Sequence, residues 1–314
     1  MKYIKEEIIS FAQNINIKKI KFAKSKILAE KYNELKYRTE CGYLGEMDFL
    51  KKTLHKRTNP NEIIKNAKTI IVIAEPYTAN IKFSSKIKIA KYAIASDYHE
   101  TIYNKLQQLQ EFISEKYNAK SYISVDAGAV LEKEWAKQAG IGWQGKNSLI
   151  ISEEFGSYFN IGVLITDLEL EISSEEIKDK CGNCNLCMNS CPTKAIVAPG
   201  IIDVKKCISY LTTEAKLSEE IKYEKEIKEA AYIFGCDICQ DVCPHNSKFQ
   251  KNKQEISDIK IQELLNETEN ILSLSNKQFS EKFNNYAIKR LRLNRLRRNY
   301  KLINDSLKSE NKDI

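Results

Sequence analysis

The sequence predicts an α/β (α+β) domain, then a small cysteine-dense domain, then a short helical C-terminus. Three observations carry this reading. Strand-like and helix-like runs alternate across residues 1–168, eight of the nine cysteines fall between Cys181 and Cys243, and helical periodicity returns near the end together with most of the arginine. The expected domains are 1–168, 169–250 and 251–314, with the charged stretch Glu169 to Lys180 at the first boundary.

In the first domain Thr69 to Ala74, Ser121 to Asp126, Ser148 to Ser152 and Ile161 to Thr166 read as buried strands. Between the first two, Ile102, Leu106, Leu109, Phe112 and Ile113 keep the spacing of an amphipathic helix, and Asp97 followed by Glu100 resembles a capping pair at its start. A second helix is expected from near Gly128 to Gly140, directly after Asp126. This alternation predicts a sheet that is parallel at least in part. A hydrophobic content of 42% suffices for a core, and no apolar run reaches the roughly 18 residues of a membrane span. The start, MKYIKEEIIS, has neither the apolar stretch of a signal peptide nor a twin arginine. A cytoplasmic monomer with no membrane partner is expected.

Cysteines in a reducing compartment serve as metal ligands or redox groups more often than as disulfides. Cys181, Cys184, Cys187 and Cys191, followed by Pro192, reproduce the C-x-x-C-x-x-C-x-x-x-C-P run of bacterial ferredoxins, in which three thiolates hold one cluster and the fourth reaches another. Zinc sites instead use separated C-x-x-C pairs or Cys/His sets. Cys236, Cys239, Cys243 and Pro244 repeat the end of the run, with Ile233 where its first cysteine would stand. Crossed ligation gives Cys181, Cys184, Cys187 and Cys243 to one four-iron four-sulfur cluster, and Cys191, Cys236 and Cys239 to the other. Cys207, otherwise unassigned in this segment, completes the second set. A three-iron cluster with Cys207 free is the competing reading. Cys41 stands apart and reads as a small apolar residue.

Two clusters in a ferredoxin-like domain relay single electrons, so the large upstream domain must hold a substrate. The net charge of +8 hints at an anionic partner. Of seven arginines, five (Arg290, Arg292, Arg295, Arg297 and Arg298) crowd into nine residues, which fits either nucleic-acid contact or a solvated helix face.

Four segments resemble the epoxyqueuosine reductase family: Val125-Asp-Ala-Gly-Ala-Val-Leu-Glu-Lys-Glu-Trp135, Gly140-Ile-Gly-Trp-Gln-Gly-Lys-Asn147, Cys207-Ile-Ser-Tyr-Leu-Thr-Thr-Glu214 and Phe234-Gly-Cys-Asp-Ile-Cys239. The resemblance runs from about Gly42 to about Asn299. It implies a cobalamin-dependent enzyme that reduces epoxyqueuosine in the tRNA anticodon loop to queuosine and water, with the clusters feeding cobalt from an external electron donor. The D-x-H-x-x-G motif of other cobalamin proteins is absent: Asp97-Tyr98-His99 begins like it, but Ile102 stands where its glycine should be. With only His55, His99 and His245 in the chain, base-off binding without a histidine on cobalt fits.

The family's acid falls on Asp126, where an ordinary helix cap is the plainer reading. A cap would lower the carboxyl pKa, whereas a proton donor needs a setting that raises it. Asp97, Tyr98 and His99 match a family Asp-Tyr-His and are expected to contact substrate; helix capping and a surface imidazole are the alternatives. Arg57 matches a family arginine expected at the cofactor, and Lys91 stands where the family often has arginine. A turn holding Gly142, Gly145, Lys146 and Asn147 is expected against the cofactor, as are Ser209 and Glu214 beside Cys207. The chain stops at Ile314, without the extra helical-repeat domain of longer members, so Arg295, Arg297 and Arg298 are expected to meet the tRNA backbone.

Overall fold

The computed structural model describes residues 2–77, 87–173, 176–217, 222–251 and 273–310. Residues 252–272, which open the expected C-terminal segment, lie outside the described residues.

The body of the fold is a four-stranded sheet. Its elements in chain order are α1 (Lys2–Asn14), β1 (Lys19–Lys24), β2 (Thr69–Pro76), α2 (Tyr98–Tyr117), β3 (Ser121–Ser124), α3 (Glu132–Gln138) and β4 (Phe159–Thr166), with strands in the order β1-β2-β4-β3. Every pairing in it is antiparallel, which corrects the expected parallel component. The helix α2 does carry the chain from β2 to a strand of the same direction, but β4 inserts between the two. The alternation of strands and helices suggests parallel strands, yet it fixes only the order of elements along the chain and not which strand lies between two others.

That burial follows the strand period of two. Ile71 and Ile73 of β2, with Leu164 of β4, pack against Ile8 of α1 and Ile102, Leu106 and Leu109 of α2. Ile70 and Val72, with Val163 and Ile165, face Trp135 and Ala136 of α3. Gly162 lets α2 lie close, since a Cβ there would stand 2.5 Å from Ile102 Cγ2. Asp97 caps α2 as expected, accepting a hydrogen bond from the His99 N–H at 3.0 Å. The expected strand at Ser148 to Ser152 is only the pair Ile150–Ile151, in a hairpin with Trp143–Gln144 outside the main sheet. β1 was not foreseen: Lys19-Ile-Lys-Phe-Ala-Lys24 buries only Phe22 and Ala23 and reads as polar.

A second core joins distant segments. Here β6 (Tyr232–Phe234) pairs in parallel with the short strand Lys88–Ile89, and α4 (Ile208–Thr213), α5 (Glu224–Ala230) and α6 (Leu293–Glu310) pack around them. Phe279, Phe283, Ile288, Leu291, Leu296, Tyr300 and Ile303 of the C-terminal segment are buried in this core, so that segment is an integral layer. Among the described residues no helix is long and apolar enough to cross a membrane.

Candidate functional site

Asp126 follows β3 with φ of +58°, in a three-residue turn closed by the Ala127 N–H on the Val125 carbonyl at 2.6 Å. Such turns are strained in a non-glycine residue and collect at functional sites. Asp126 is no helix cap: α3 begins at Glu132 with Leu131 at its cap, not near Gly128 as expected, and the intervening loop holds Asp126 out in a cleft. Arg57 pins the far end of this loop by donating to the Val130 carbonyl at 3.2 Å, and the Ser124 hydroxyl closes its base on Glu132 Oε1 at 2.7 Å.

Three side chains converge on Asp126 Oδ2: Tyr98 through its hydroxyl at 3.3 Å, His99 through Nε2 at 3.4 Å and Arg290 through Nη1 at 2.9 Å. The other His99 nitrogen, Nδ1, lies 2.7 Å from Asp97 Oδ1, and Arg290 Nη2 donates to Glu214 Oε1 at 2.6 Å. The His99 hydrogen bond, reinforced by the Arg290 charge, holds the Asp126 carboxyl well below the usual range despite its partial burial. Burial works against the His99 imidazolium, but Asp126 and Asp97 outweigh it and raise its pKa. Burial and the adjacent Asp126 charge keep the Tyr98 phenol protonated. These opposite shifts favour a proton on His99 over one on Asp126.

The cysteines fall into two groups. Cys181, Cys184, Cys187 and Cys243 line one recess with Pro244 and His245. Cys207 and Cys236 lie within electrostatic reach of each other and of both Cys191 and Cys239, and burial raises the Cys207, Cys236 and Cys239 thiols, which makes this the deeper group. Loading with metal must therefore displace protons from these three thiols. Among the described residues no three Cys, His, Asp or Glu side chains gather at single-ion spacing. Cys41 is exposed and not packed as a small apolar residue.

The helix α4 ties the deeper group to Asp126, because Cys207 is its N-cap and Glu214 its C-cap. At 1.5 Å per residue the two ends lie about 10 Å apart. Ser209 sits in its first turn. Lys133, from the first turn of α3, is solvent-exposed by area yet hemmed in by protein, as a side chain in a broad cleft would be. Desolvation lowers its pKa against the opposing charges of Asp126 and Glu132.

The remaining expected contacts lie elsewhere. Lys146 donates to the Gly182 carbonyl at 2.8 Å and to Asn185, while buried Asn147 reaches the Cys239 carbonyl at 3.4 Å, so this turn braces the cysteine loops. Lys91 is buried, ion-paired with Asp241. Arg295 donates to the Thr213 and Glu214 carbonyls, Arg298 to Leu211 and Lys216, and Arg297 to Leu274. Arg295 and Arg298 thus seat α6 on the C-terminal end of α4, whose last carbonyls lack helical partners, while Arg297 ties α6 to Leu274. Arg290 and Lys133 were not singled out for this site. Arg290 could be noticed only as one of seven arginines, and Lys133 only by its place seven residues after Asp126.

A two-group cysteine domain joined by one short helix to a polar cleft on an α+β body defines an iron–sulfur oxidoreductase. Residues 180–246 match the 4Fe-4S double cluster binding domain, and residues 57–127 match the model described as epoxyqueuosine reductase QueG, DUF1730. The epoxyqueuosine reductase of Cellulophaga algicola is 37% identical over 287 residues, 88% of this chain and 90% of that protein. A crystal structure of epoxyqueuosine reductase with an epoxyqueuosine-modified tRNA-Tyr stem loop superposes with a TM-score of 0.84 at 30% identity, covering 96% of this chain and 80% of that one. The Bacillus subtilis enzyme, described with its catalytic aspartate loop swung out of the active site, gives 0.81 at 28% identity over 96% and 81%. The chain belongs to the epoxyqueuosine reductase family.

Proposed function

We propose that this chain reduces epoxyqueuosine to queuosine in the tRNA anticodon loop, the last step of queuosine biosynthesis, with cobalamin bound in the cleft between Asp126 and the deeper cysteine group. The observation that carries the reading is the convergence of Tyr98, His99 and Arg290 on Asp126, one short helix from Cys207. The relative solved with an epoxyqueuosine-modified stem loop supports the substrate, and the mobile aspartate loop of the Bacillus subtilis relative supports the Asp126 loop as its counterpart.

Removing the epoxide oxygen as water takes two electrons and two protons. The cysteine groups would each hold a four-iron four-sulfur cluster, Cys181, Cys184, Cys187 and Cys243 near the surface and Cys191, Cys207, Cys236 and Cys239 next to the cleft, and pass electrons singly from an external donor protein. Bound cobalamin supplies the metal-centred reductant for carbon–oxygen cleavage.

The residues present fit that cofactor. Lys133, Ser209 and Glu214 offer it polar contacts, and Arg57 holds the far end of the Asp126 loop. None of the three histidines is placed to ligate cobalt: His55 packs against Tyr32, His245 against Trp143, and His99 is held between Asp97 and Asp126. Asp126 serves as the acid, taking the proton stored on His99 and passing it to the departing oxygen. Asp97 fixes the imidazole, and Tyr98 positions the carboxylate. The exposed cations Lys289, Arg290 and Arg292, on and just after the turn Ala287–Leu291, and Lys301 on α6 face the tRNA backbone, while Arg295, Arg297 and Arg298 seat α6. The enzyme works in the cytoplasm, as a monomer.

The test is reconstituted protein given cobalamin, a chemical reductant and epoxyqueuosine-containing tRNA, with queuosine read by mass spectrometry. Wild type should form queuosine, and Asp126→Asn should keep both clusters and bind cobalamin yet lose about 10²- to 10⁴-fold in rate. Near wild-type turnover by Asp126→Asn removes it as the acid, and failure of wild type to bind cobalamin removes the cofactor.

A further inference from the structure

Arg290 stands in an unusual place for an RNA-facing cation. It lies on the short 3₁₀ turn Ala287–Leu291, whose apolar side (Ala287, Ile288 and Leu291) is buried, so the turn itself is firmly seated. Its guanidinium forks between two carboxylates from different parts of the fold, Asp126 at 2.9 Å and Glu214 at 2.6 Å. Both ends of the Asp126 contact remain open to solvent, with side-chain exposures of 54% for Arg290 and 49% for Asp126. Lys289 and Arg292 flank it and are also exposed. A phosphate approaching this turn therefore meets three cations, of which Arg290 alone is engaged with the acid.

We propose that Arg290 is a positioning residue that holds Asp126 in the resting enzyme and is drawn off it by a backbone phosphate of the RNA substrate, freeing the carboxylate to take the proton from His99. The proposal rests on the reading of the chain as a tRNA-directed reductase. The chemistry of the exchange is like for like, because a guanidinium fork accepts phosphate and carboxylate oxygens with the same planar two-point geometry. Glu214 keeps hold of the other arm, so Arg290 turns without leaving the site.

The consequence for the proton follows from charge. Asp126 and His99 share one proton and titrate as a pair. Beside that pair stand Tyr98 on α2, Tyr92 on the turn Lys91–Ala93, Glu132 and Lys133 on α3, and Arg57 behind the loop. Neither Lys133 nor Arg57 is shown bonding Asp126, whereas Arg290 bonds it directly, and while it does so the carboxylate is a poor proton acceptor. Its departure removes a positive charge at hydrogen-bond distance and tips the shared proton toward Asp126. The acid is thereby readied only when RNA is in place, which keeps reducing equivalents from being drawn off in an empty site.

The holoenzyme tests this through Arg290→Gln, which keeps the side chain's reach and removes its charge. The pH profile of kcat/KM reports the free enzyme and that of kcat the loaded one. With Arg290 replaced, the alkaline limb of kcat/KM should move to higher pH, while that of kcat keeps its midpoint because Arg290 has already left in the wild-type complex. Binding of an unmodified anticodon stem loop should lose about 0.7 to 0.9 from its salt slope, the share of one phosphate, and Arg290→Lys should restore it. Equal shifts of both limbs leave Arg290 on Asp126 in the complex. A uniform loss at every pH with an unchanged slope makes Arg290 a structural clasp. Either result overturns the proposal. Wild type that binds the stem loop but forms no queuosine defeats the functional reading instead, and the salt slope still decides the phosphate contact.

Discussion

His99 is where the chemistry and the pH dependence of this molecule meet. Its imidazolium is favoured by Asp126 and Asp97, so its pKa lies above the ordinary value of about 6.5. The folded-state value is the raised one, so the stabilisation is complete below the unfolded pKa and lost as pH rises through the folded one. We predict that single-turnover reduction falls across the same window, and that His99→Gln, unable to store a proton, lowers the rate and abolishes that limb; a limb that survives in His99→Gln assigns it to another group. A second residue-scale prediction concerns Trp143, whose indole nitrogen is buried without a hydrogen-bond partner in the neighbourhood of Cys181, where it could donate to a cluster sulfur. Hydrogen bonds to cluster sulfurs raise reduction potentials. Trp143→Phe should therefore lower the potential of the shallower cluster in an EPR-monitored titration and leave the deeper one in place. Seven of the clustered cysteines could be assigned to ligand sets from motif spacing, because cluster ligation imposes a short-range pattern, whereas Cys207 could be assigned only by elimination. The partnership of Asp126 with Arg290 was not, since 164 residues separate them and neither carries a local sign of the other.

At the scale of elements, three strands of the main sheet and the long helix were readable because burial writes its period into the sequence, while the polar β1 and the strand directions were not. β4 slips between β2 and β3 only because the chain returns for it after the hairpin at Trp143, a long-range event that no window of residues contains. Gly162 in β4 is the tightest point of that insertion, with Ile102 Cγ2 at 2.5 Å and Leu106 Cδ1 at 2.8 Å from a built Cβ. Gly162→Val should overpack the α2 face and cost about 1–3 kcal/mol in denaturant unfolding, with loaded protein still showing its cluster spectra. An unchanged midpoint would show that α2 yields more easily than this packing implies. The arginine run teaches the converse lesson. Its composition invited a nucleic-acid reading, whereas Arg295 and Arg298 turn inward to the carbonyls ending α4, a use that depends on where α6 lands and not on how many arginines it carries.

Across the whole molecule the cores do not follow the order of the chain. The strand Lys88–Ile89 from the first expected domain, β6 from the cysteine segment and the C-terminal helices share one apolar interior, so cluster binding is set into the frame of the fold. Metal binding should then register in global stability. Anaerobic reconstitution should give about eight iron per chain, and Cys207→Ala about four, with the remaining signal that of a single four-iron cluster. Iron content and spectra unchanged in Cys207→Ala would remove it from the ligand set. The single helix running from Cys207 to Glu214 carries a further implication. One end would be fastened to iron, and the other meets through Glu214 the guanidinium that holds Asp126, so a molecule that loses its inner cluster to oxygen should also loosen the Asp126 loop, seen as faster amide exchange over Val125 to Leu131. Damage at the electron supply would in this way be felt at the acid, and an exchange rate unchanged on cluster loss would show that the rod carries no such message.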